Sequence, residues 1–142
     1  MLSQTNSDHL GPQRQTRSAS APGKVIVFGE HAVVYGRPAI AVPVAQVRAI
    51  VTLDPAAKGH GLIIVAPDIE TTVSLKTAPR KDPLAMAARL TLRQLSQPEP
   101  DAILSIHSDI PVASGLGSGA AVSTAVVRGL STFLGFSLPP NQ

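Results

Sequence analysis

Two segments of this chain carry side chains and glycines that could do chemistry. The first, residues 21–36, reads APGKVIVFGEHAVVYG and presents a cation, a carboxylate and an imidazole at Lys24, Glu30 and His31. The second, residues 111–129, reads PVASGLGSGAAVSTAVVRG, in which alternating glycines lead into an apolar pattern of helical period. Together they offer the charged side chains and the uncovered backbone amides that a phosphate site requires.

The glycines of the second segment predict an anion site. Gly115, Gly117 and Gly119 can take positive φ values and leave their N–H groups uncovered by a Cβ atom. Apolar residues recur at helical spacing from Ala120 onward, so the glycines precede a helix N-terminus, whose free amides and dipole suit a phosphate. The loop does not end in the Gly-Lys-Ser/Thr of a Walker A loop, which excludes that class.

Two other interpretations of the same glycines were considered. Gly115, Gly117 and Ala120 fit the dinucleotide pattern G-x-G-x-x-G/A, but residues 108–114 separate them from the nearest predicted strand and no acidic residue follows Asp109. This disfavours a dinucleotide-binding fold. A helix of small residues that packs closely on a sheet stays open as a purely structural alternative.

Composition limits the class of protein. A chain of 142 residues with 44% hydrophobic residues can form one domain with a core. No apolar run approaches the roughly 20 residues that span a bilayer, there is no signal-peptide pattern, and cysteine is absent, so we expect a cytoplasmic protein without a membrane partner. The net charge is +3, but scattered basic residues and 3% aromatics argue against nucleic acid and favour an anionic small molecule.

The hydrophobic periodicity predicts a mixed α+β chain. Asp82 as N-cap and Pro83 at the first helical position predict a packing helix that runs down to Gln97, and a second helix follows the glycines. Residues 1–18 are polar and predict a disordered tail ahead of a domain at 19–142. Runs of β-branched residues predict strands at 25–28, 39–42, 44–53, 62–66, 71–75 and 102–107, with those at 62–66 and 71–75 as a hairpin.

Taken together, the two segments resemble the superfamily of galactokinases, homoserine kinases, mevalonate kinases and phosphomevalonate kinases (GHMP kinases), which bind ATP without a Walker A loop. Within it, residues 21–36 are similar to the N-terminal motif of the mevalonate kinase family, and the resemblance extends from Ser18 to about Gly135. It implies the α+β fold of the GHMP kinase N-terminal domain, a mixed sheet with packed helices like domain 2 of ribosomal protein S5. It also implies transfer of the ATP γ-phosphoryl group to the 5-hydroxyl of mevalonate, with Mg²⁺, in isoprenoid biosynthesis.

The resemblance also assigns roles to single residues. Lys24 would be catalytic, near the attacking hydroxyl and the γ-phosphate, while Glu30 and His31 would bind the substrate. Asp68 aligns loosely with a nucleotide-contacting asparagine. The residues that would bind ATP are Ser108, Ala113, Ser114, Gly115, Leu116, Gly117, Ser118 and Gly119, and Ser118 would also hold the metal. This chain departs from the family at Gly119, where the commonest motif has a second serine whose hydroxyl reaches Mg²⁺.

A second departure concerns the extent of the chain. The family's catalytic aspartate, its Mg²⁺-binding glutamate and its third, glycine-rich motif lie beyond residue 142. We therefore expect an N-terminal part, truncated before the C-terminal domain, that is inactive alone and needs the missing C-terminal half as its partner. Two alternatives stay open: another kinase of the superfamily, acting on phosphomevalonate or a sugar, and a non-catalytic nucleotide-binding module. The oligomeric state, a homodimer included, is also left open.

Overall fold

Five strands and two α-helices make up residues 15–138, the part of the chain that the computed structural model describes. The α+β content and the mixed sheet confirm the predicted fold class. The strands are β1 (Arg17–Phe28), β2 (Ile40–Pro55), β3 (Leu62–Ala66), β4 (Thr71–Ser74) and β5 (Ala102–Ser108), and the helices are α1 (Pro83–Gln94) and α2 (Ser118–Phe133). Short 3-10 turns lie at Val33–Tyr35 and Pro67–Ile69.

The strand order β1-β2-β5-β3-β4 brings the two chemical segments together. The β5–β3 pair is parallel and the other pairs are antiparallel. Ser108 at the end of β5 lies opposite Ala49, and the next residue donates a backbone hydrogen bond of 2.9 Å from Asp109 N to Arg48 O. Arg48 in turn lies opposite Pro22 of β1. The chain therefore leaves β5 level with the middle of β1, with β2 between the two strands.

The strand β2 is continuous where the sequence predicted two strands, at 39–42 and 44–53. Pro43, which lies between the two predicted strands, is part of β2 and pairs with Lys24 of β1. The strand β5 pairs only with residues 49–55 of β2, so Pro43 has a single neighbouring strand. A proline is tolerated there because its missing N–H group removes no bond to a second neighbour.

A bulge in β2 lies opposite the Pro22–Gly23 step of β1. Pro22 pairs with Arg48 while Gly23 pairs with Val44, so residues 45–47 of β2 have no counterpart in β1. Gly23 is buried, and a Cβ atom there would lie 3.1 Å from the carbonyl oxygen of Leu116. A larger residue would push the glycine loop away from β1 at this point.

The core lies between one face of the sheet and the two helices. In β2, Ala49, Val51 and Leu53 are fully buried while Ile50 is 37% exposed, as expected for a strand with one covered face. The helix α2 packs against β1 and β2, and α1 packs against α2. Neither helix of residues 15–138 has the length and apolar character needed to cross a lipid bilayer.

The helix boundaries differ from the prediction in detail. Asp82 caps α1 as expected, since its carboxylate accepts a hydrogen bond of 2.8 Å from Ala85 N. The helix ends at Gln94, earlier than Gln97, because Ser96 takes a positive φ of 51°. The helix α2 begins at Ser118, so the last glycine of the predicted loop, Gly119, lies in its first turn.

The predicted disordered tail overlaps the sheet at its end. Residues 1–14 lie outside the described residues. Arg17 and Ser18 belong to β1 and pair with Leu53 and Thr52 of β2. Just before the strand, Thr16 Oγ1 donates a hydrogen bond of 2.6 Å to Asp54 Oδ1. The sheet therefore begins within residues 1–18, which their polarity predicted to be a disordered tail.

Gly129 sets how closely α2 lies on the sheet. A Cβ atom at this position would lie 2.9 Å from Leu53 Cδ1 and 3.1 Å from Val51 Cγ1, two side chains that are themselves fully buried. Since those side chains have no free space to move into, only glycine fits without displacing the helix. Gly119, in the first turn of the same helix, faces open space.

We predict opposite effects for the same substitution at these two positions. Gly129→Ala should lower the free energy of unfolding by about 1–2 kcal/mol, since overpacking outweighs the better helix propensity of alanine. Gly119→Ala should raise it by roughly 0.5 kcal/mol, because only the propensity changes. Urea denaturation of both variants checks this, and an equal stabilisation by both would mean that α2 lies farther from β2.

Candidate functional site

The glycine loop, residues 111–117 between β5 and α2, is fastened to β1. The backbone N–H of Lys24 donates a hydrogen bond of 2.9 Å to the carbonyl oxygen of Leu116. This bond joins the two segments that the sequence singled out, and it lies beside the bulge in β2. The predicted catalytic lysine and the predicted phosphate loop are therefore in direct contact.

Gly117 accommodates the side chain of Lys24. Gly117 has a φ of +69°, and a Cβ atom there would lie 2.9 Å from Lys24 Cε and 3.1 Å from Lys24 Cγ. The lysine stem thus crosses the loop at the residue that caps α2. From the sequence we expected Gly117 to make room for a phosphate, whereas the structure shows that it makes room for Lys24.

Within residues 15–138, no side chain caps the N-terminus of α2 and no acidic residue lies in its first turn. The N-cap residue is Gly117, which offers no side-chain hydrogen bond. The N–H groups of a first helical turn have no partner within the helix, and the dipole makes this end positive. In α1, by contrast, the Asp82 carboxylate accepts such an N–H bond.

Lys24 adds a second positive charge at the same place. Its ammonium group makes no hydrogen bond or ion pair with any residue that the structure describes. A cation beside the positive end of a helix is unfavourable unless an anion binds between them. The arrangement can therefore bind an anion such as a phosphate through backbone amides and one ammonium group.

The serines of the loop have different roles. Ser114 Oγ donates to the carbonyl oxygen of Pro111 at 2.7 Å and lies 3.4 Å from Leu116 N, so its hydroxyl stabilises the loop itself. Ala113, next to it, has a positive φ of 58°, a strained conformation for alanine. Ser118 is half-buried in the first turn of α2 and lines the cavity described next.

A cavity of about 360 Å³ opens beside the glycine loop, between the 3-10 turn Pro67–Ile69 and the beginnings of α1 and α2. Its polar lining includes Asp68, Ser108 and Ser118. Its apolar lining includes Ile69, Leu84, Ile106, Ile110, Val112 and Val122. An apolar cavity with a few polar groups suits a flat organic ring, and its position next to the α2 N-terminus suits the base of a nucleotide.

A cluster of three titratable side chains lies at the edge of this cavity. Asp68 Oδ2 accepts a hydrogen bond of 2.8 Å from Ser108 N, and Asp68 Oδ1 lies 3.1 Å from His107 Nδ1. On the other side of the ring, His107 Nε2 lies 3.2 Å from Asp109 Oδ1. The Ser108 N–H group holds the pKa of Asp68 below its ordinary value, and the hydrogen bond with Asp68 raises the pKa of His107.

Little in the sequence pointed to this cluster. Asp68 entered only through a loose alignment, and His107 had no role. The residues are 39 positions apart, and only the β3–β5 pairing brings them together. The sequence offered one sign that His107 could belong to the site: it lies at the end of a strand that leads directly into the glycine loop.

Lys24 lines a different cavity from the one at Ser108. This second cavity, of about 340 Å³, lies on the β1 side of α2 and includes Pro43, Ala120 and Arg128. The N-terminus of α2 contributes to both cavities, through Ser118 on one side and Ala120 on the other. A ligand held at this helix end can thus be reached from both sides.

Glu30 and His31 are exposed beyond the end of β1. Neither side chain makes a hydrogen bond or ion pair with another residue of the described range 15–138. The structure therefore does not join them to Lys24 through any contact. Their role in binding a substrate stays a prediction.

Protein ligands for a metal ion are scarce in this part of the chain. Residues 15–138 contain no group of three or more His, Asp or Glu side chains that could hold a metal. The hydroxyl of Ser118 is a single oxygen, and Gly119 beside it has none to give. These residues do not form a metal site by themselves, although Mg²⁺ commonly takes most of its oxygens from phosphates and water.

Comparisons with known proteins agree with this geometry. The family described as "GHMP kinases N terminal domain" matches residues 83–142, which include α1, the glycine loop and α2. The curated mevalonate kinase of Thermococcus sibiricus is 37% identical over 139 residues, covering 87% of this chain and 41% of that protein. The chain therefore spans about two fifths of the length of this relative.

Solved structures share the fold. The Methanococcus jannaschii mevalonate kinase superposes with a TM-score of 0.72 at 26% identity, covering 90% of this chain and 43% of that one. A Streptococcus pneumoniae phosphomevalonate kinase, solved with phosphomevalonate and AMPPNP, gives a TM-score of 0.66 at 20% identity, covering 86% and 38%. At that identity the second likeness is one of fold alone.

We predict that Lys24→Met leaves the stability of the fold almost unchanged. Methionine keeps most of the stem that crosses Gly117, and the backbone bond to Leu116 does not depend on the side chain. Because the ammonium group has no partner among the described residues, the free energy of unfolding should move by no more than about 0.5 kcal/mol. A loss above about 2 kcal/mol in urea denaturation would show that the charge serves the fold.

Proposed function

We propose that this chain, which has the fold of the GHMP kinase N-terminal domain, is the ATP-binding part of a mevalonate kinase. The whole enzyme would transfer the γ-phosphoryl group of ATP to the 5-hydroxyl of mevalonate, in isoprenoid biosynthesis. The observation that carries the proposal is the uncapped N-terminus of α2 with the unpaired ammonium group of Lys24 against it. Resemblance to curated mevalonate kinases supports the choice of substrate.

The phosphate groups of ATP would bind at the glycine loop. The N–H groups of the first turn of α2 are available because Gly117 does not cap them. The hydroxyl of Ser118 adds a donor, whereas the hydroxyl of Ser114 is already bonded to Pro111 O. Binding would thus rest mainly on backbone amides, which suits a loop with few polar side chains.

The adenine base would occupy the 360 Å³ cavity beside the loop. Its apolar lining can contact the flat ring, and Asp68 and Ser108 offer hydrogen-bonding groups in the same cavity. Burial of the base would orient the phosphates, because the cavity and the α2 N-terminus share Ser118.

Lys24 would stabilise charge in the transition state. Its stem is fixed across Gly117, so the ammonium group is held at the helix end where the terminal phosphate would lie. A fixed cation at this place stabilises charge on the phosphoryl oxygens and on the attacking hydroxyl. Glu30 and His31 would bind mevalonate on the β1 side. Mg²⁺ bound with the nucleotide would add positive charge, and its protein ligands other than Ser118 would come from outside residues 15–138.

The rest of the active site would come from a C-terminal half. The chain spans 41% of the length of its Thermococcus sibiricus relative, so the remaining length of that protein has no counterpart here. In this arrangement the described residues supply one wall of the site, the nucleotide side. We infer that the C-terminal half is the partner that completes catalysis.

Two alternatives can be separated by experiment. Another superfamily kinase would phosphorylate a different acceptor, and the shared fold of a phosphomevalonate kinase keeps this alternative in view. A non-catalytic nucleotide-binding module would bind ATP but gain no activity when a C-terminal half is supplied. Acceptor screening distinguishes the first, and the fusion experiment below distinguishes the second.

We predict that Gly117→Val abolishes binding of ATP. The added side chain would collide with Lys24 and force a valine into a positive φ, which distorts the loop and the α2 N-terminus. Gly59→Val is the matched control, because Gly59 also has a positive φ, of 86°, and open space around it, in a turn far from the loop. Calorimetry should show ATP binding for the control only, and unchanged affinity in Gly117→Val would remove the loop from the site.

We also predict that residues 1–142 alone do not phosphorylate mevalonate. A fusion to the C-terminal segment of the Thermococcus sibiricus enzyme should form product from ATP, Mg²⁺ and mevalonate, and Lys24→Met in that fusion should lower kcat by roughly 10²-fold or more. Turnover by the 142-residue chain alone would contradict the need for a second half. A fusion that prefers phosphomevalonate or a sugar would support the alternative kinase.

A further inference from the structure

His107 lies between two carboxylates at the edge of the candidate nucleotide site. Its Nδ1 atom is 3.1 Å from Asp68 Oδ1 and its Nε2 atom is 3.2 Å from Asp109 Oδ1. A neutral imidazole has one N–H group and one lone pair, so it can donate to only one of these oxygens. The second ring nitrogen would then direct its lone pair at a carboxylate oxygen. Only the imidazolium form donates to both.

The two carboxylates belong to different segments of the chain at the site. Asp68 lies on the 3-10 turn after β3 and lines the 360 Å³ cavity. Asp109 stands between Ser108 and Ile110, two further lining residues, where the chain leaves β5 for the glycine loop. The ring therefore links the wall of the cavity to the beginning of the loop.

We propose that His107 is a positioning residue that, in its protonated form, holds Asp68 and Asp109 together and offsets their charge, so that a nucleotide binds more tightly than when the ring is neutral. The inference rests on the proposed ATP site. Without the cation, two negative charges would remain beside the proposed nucleotide site. One of the two carboxylates would also lose its hydrogen bond to the ring, which loosens the connection between the cavity wall and the chain leading into the loop.

Among the described residues, no cation acts on the His107 ring. The charged groups that act on its ring are Asp68 and Asp109. Across the sheet it lies opposite Ile50 of β2, which is apolar. The nearby Arg48 of β2 directs its guanidinium group to Ser20 Oγ, at 2.9 Å and 3.2 Å. Both carboxylates raise the pKa of His107 above the ordinary 6.5, with the Asp68 hydrogen bond as the largest cause.

The sign of the pH dependence follows from this arrangement. The favourable charge is complete at a pH below the raised pKa of His107 and is lost as the pH rises through it. Since the His107 side chain is 62% exposed, solvent screens the interaction and the effect is modest. We expect the affinity for ATP to fall about two- to five-fold across this range.

Three substitutions in the 142-residue chain test the proposal, with ATP binding measured by calorimetry between pH 6 and pH 9. His107→Gln should bind weakly at all pH values, and His107→Arg, which stays charged, should bind tightly at all of them. Both variants should lose the fall in affinity that the unsubstituted chain shows. His60→Gln, at an exposed histidine in the turn around Gly59, should keep that fall.

A second readout follows the histidine itself. Because binding linkage is reciprocal, saturation with ATP should raise the pKa of His107 in NMR titrations, and Asp68→Asn should lower it. If ATP binds with the same pH profile in His107→Gln and in the unsubstituted chain, the proposal is wrong while the ATP site stands. If the unsubstituted chain binds no ATP at any pH, both the site and this proposal fail.

Discussion

The site depends on one backbone hydrogen bond, from Lys24 N to Leu116 O. It fastens the loop before α2 to the middle of β1, although the two residues are far apart in the sequence. The bond can form because Gly23 lets the loop carbonyl approach and because Gly117 leaves room for the Lys24 stem. The bulge in β2 lies at the same step of β1. Because of this contact, the loop lies against β1 and the charge of Lys24 lies at the N-terminus of α2.

The contact concentrates positive charge at one helix end. The amides of the first turn of α2, its dipole and the Lys24 ammonium group lie together, and the described residues bring no acidic group to that turn. Such an arrangement costs stability in the absence of an anion and favours binding of one. The same chain shows the alternative solution in α1, where Asp82 caps the helix. In this respect the N-terminus of α2, the proposed binding site, differs from the capped N-terminus of α1.

Local patterns in the sequence predicted the parts that depend on neighbouring residues. The Asp82–Pro83 start of α1, the β3–β4 hairpin and the glycine loop before α2 are all present in the structure. The prediction of a strand break at Pro43 is wrong, because whether a proline breaks a strand depends on how many neighbours that strand has at that point. The predicted tail also extends too far along the chain. Arg17 and Ser18 belong to β1 because they pair with β2, and their local polarity does not reveal this pairing.

The contacts that define the site depend on tertiary register and could not be read from local patterns. The residue types suggested that Lys24 and the loop could serve one phosphate site, but they gave no reason for Gly117 to touch Lys24. The sequence also could not show that Ser114 turns its hydroxyl to the loop, so that of these two serines Ser118 is the one that lines the cavity. The His107–Asp68 pair arises from the parallel β3–β5 pairing, which no motif encodes.

The central claim is that the free amides of the α2 N-terminus bind the phosphates of ATP. Amide NMR shifts of Ser118, Gly119 and Ala120 measure this most directly, with Leu62, whose N–H group donates to Glu99 Oε1 at the opposite end of β3, as the internal control. The account predicts that ATP and inorganic tripolyphosphate both shift the three α2 amides downfield, that adenosine shifts them less, and that Leu62 stays unchanged. Binding of ATP with the three α2 amides unmoved would contradict it.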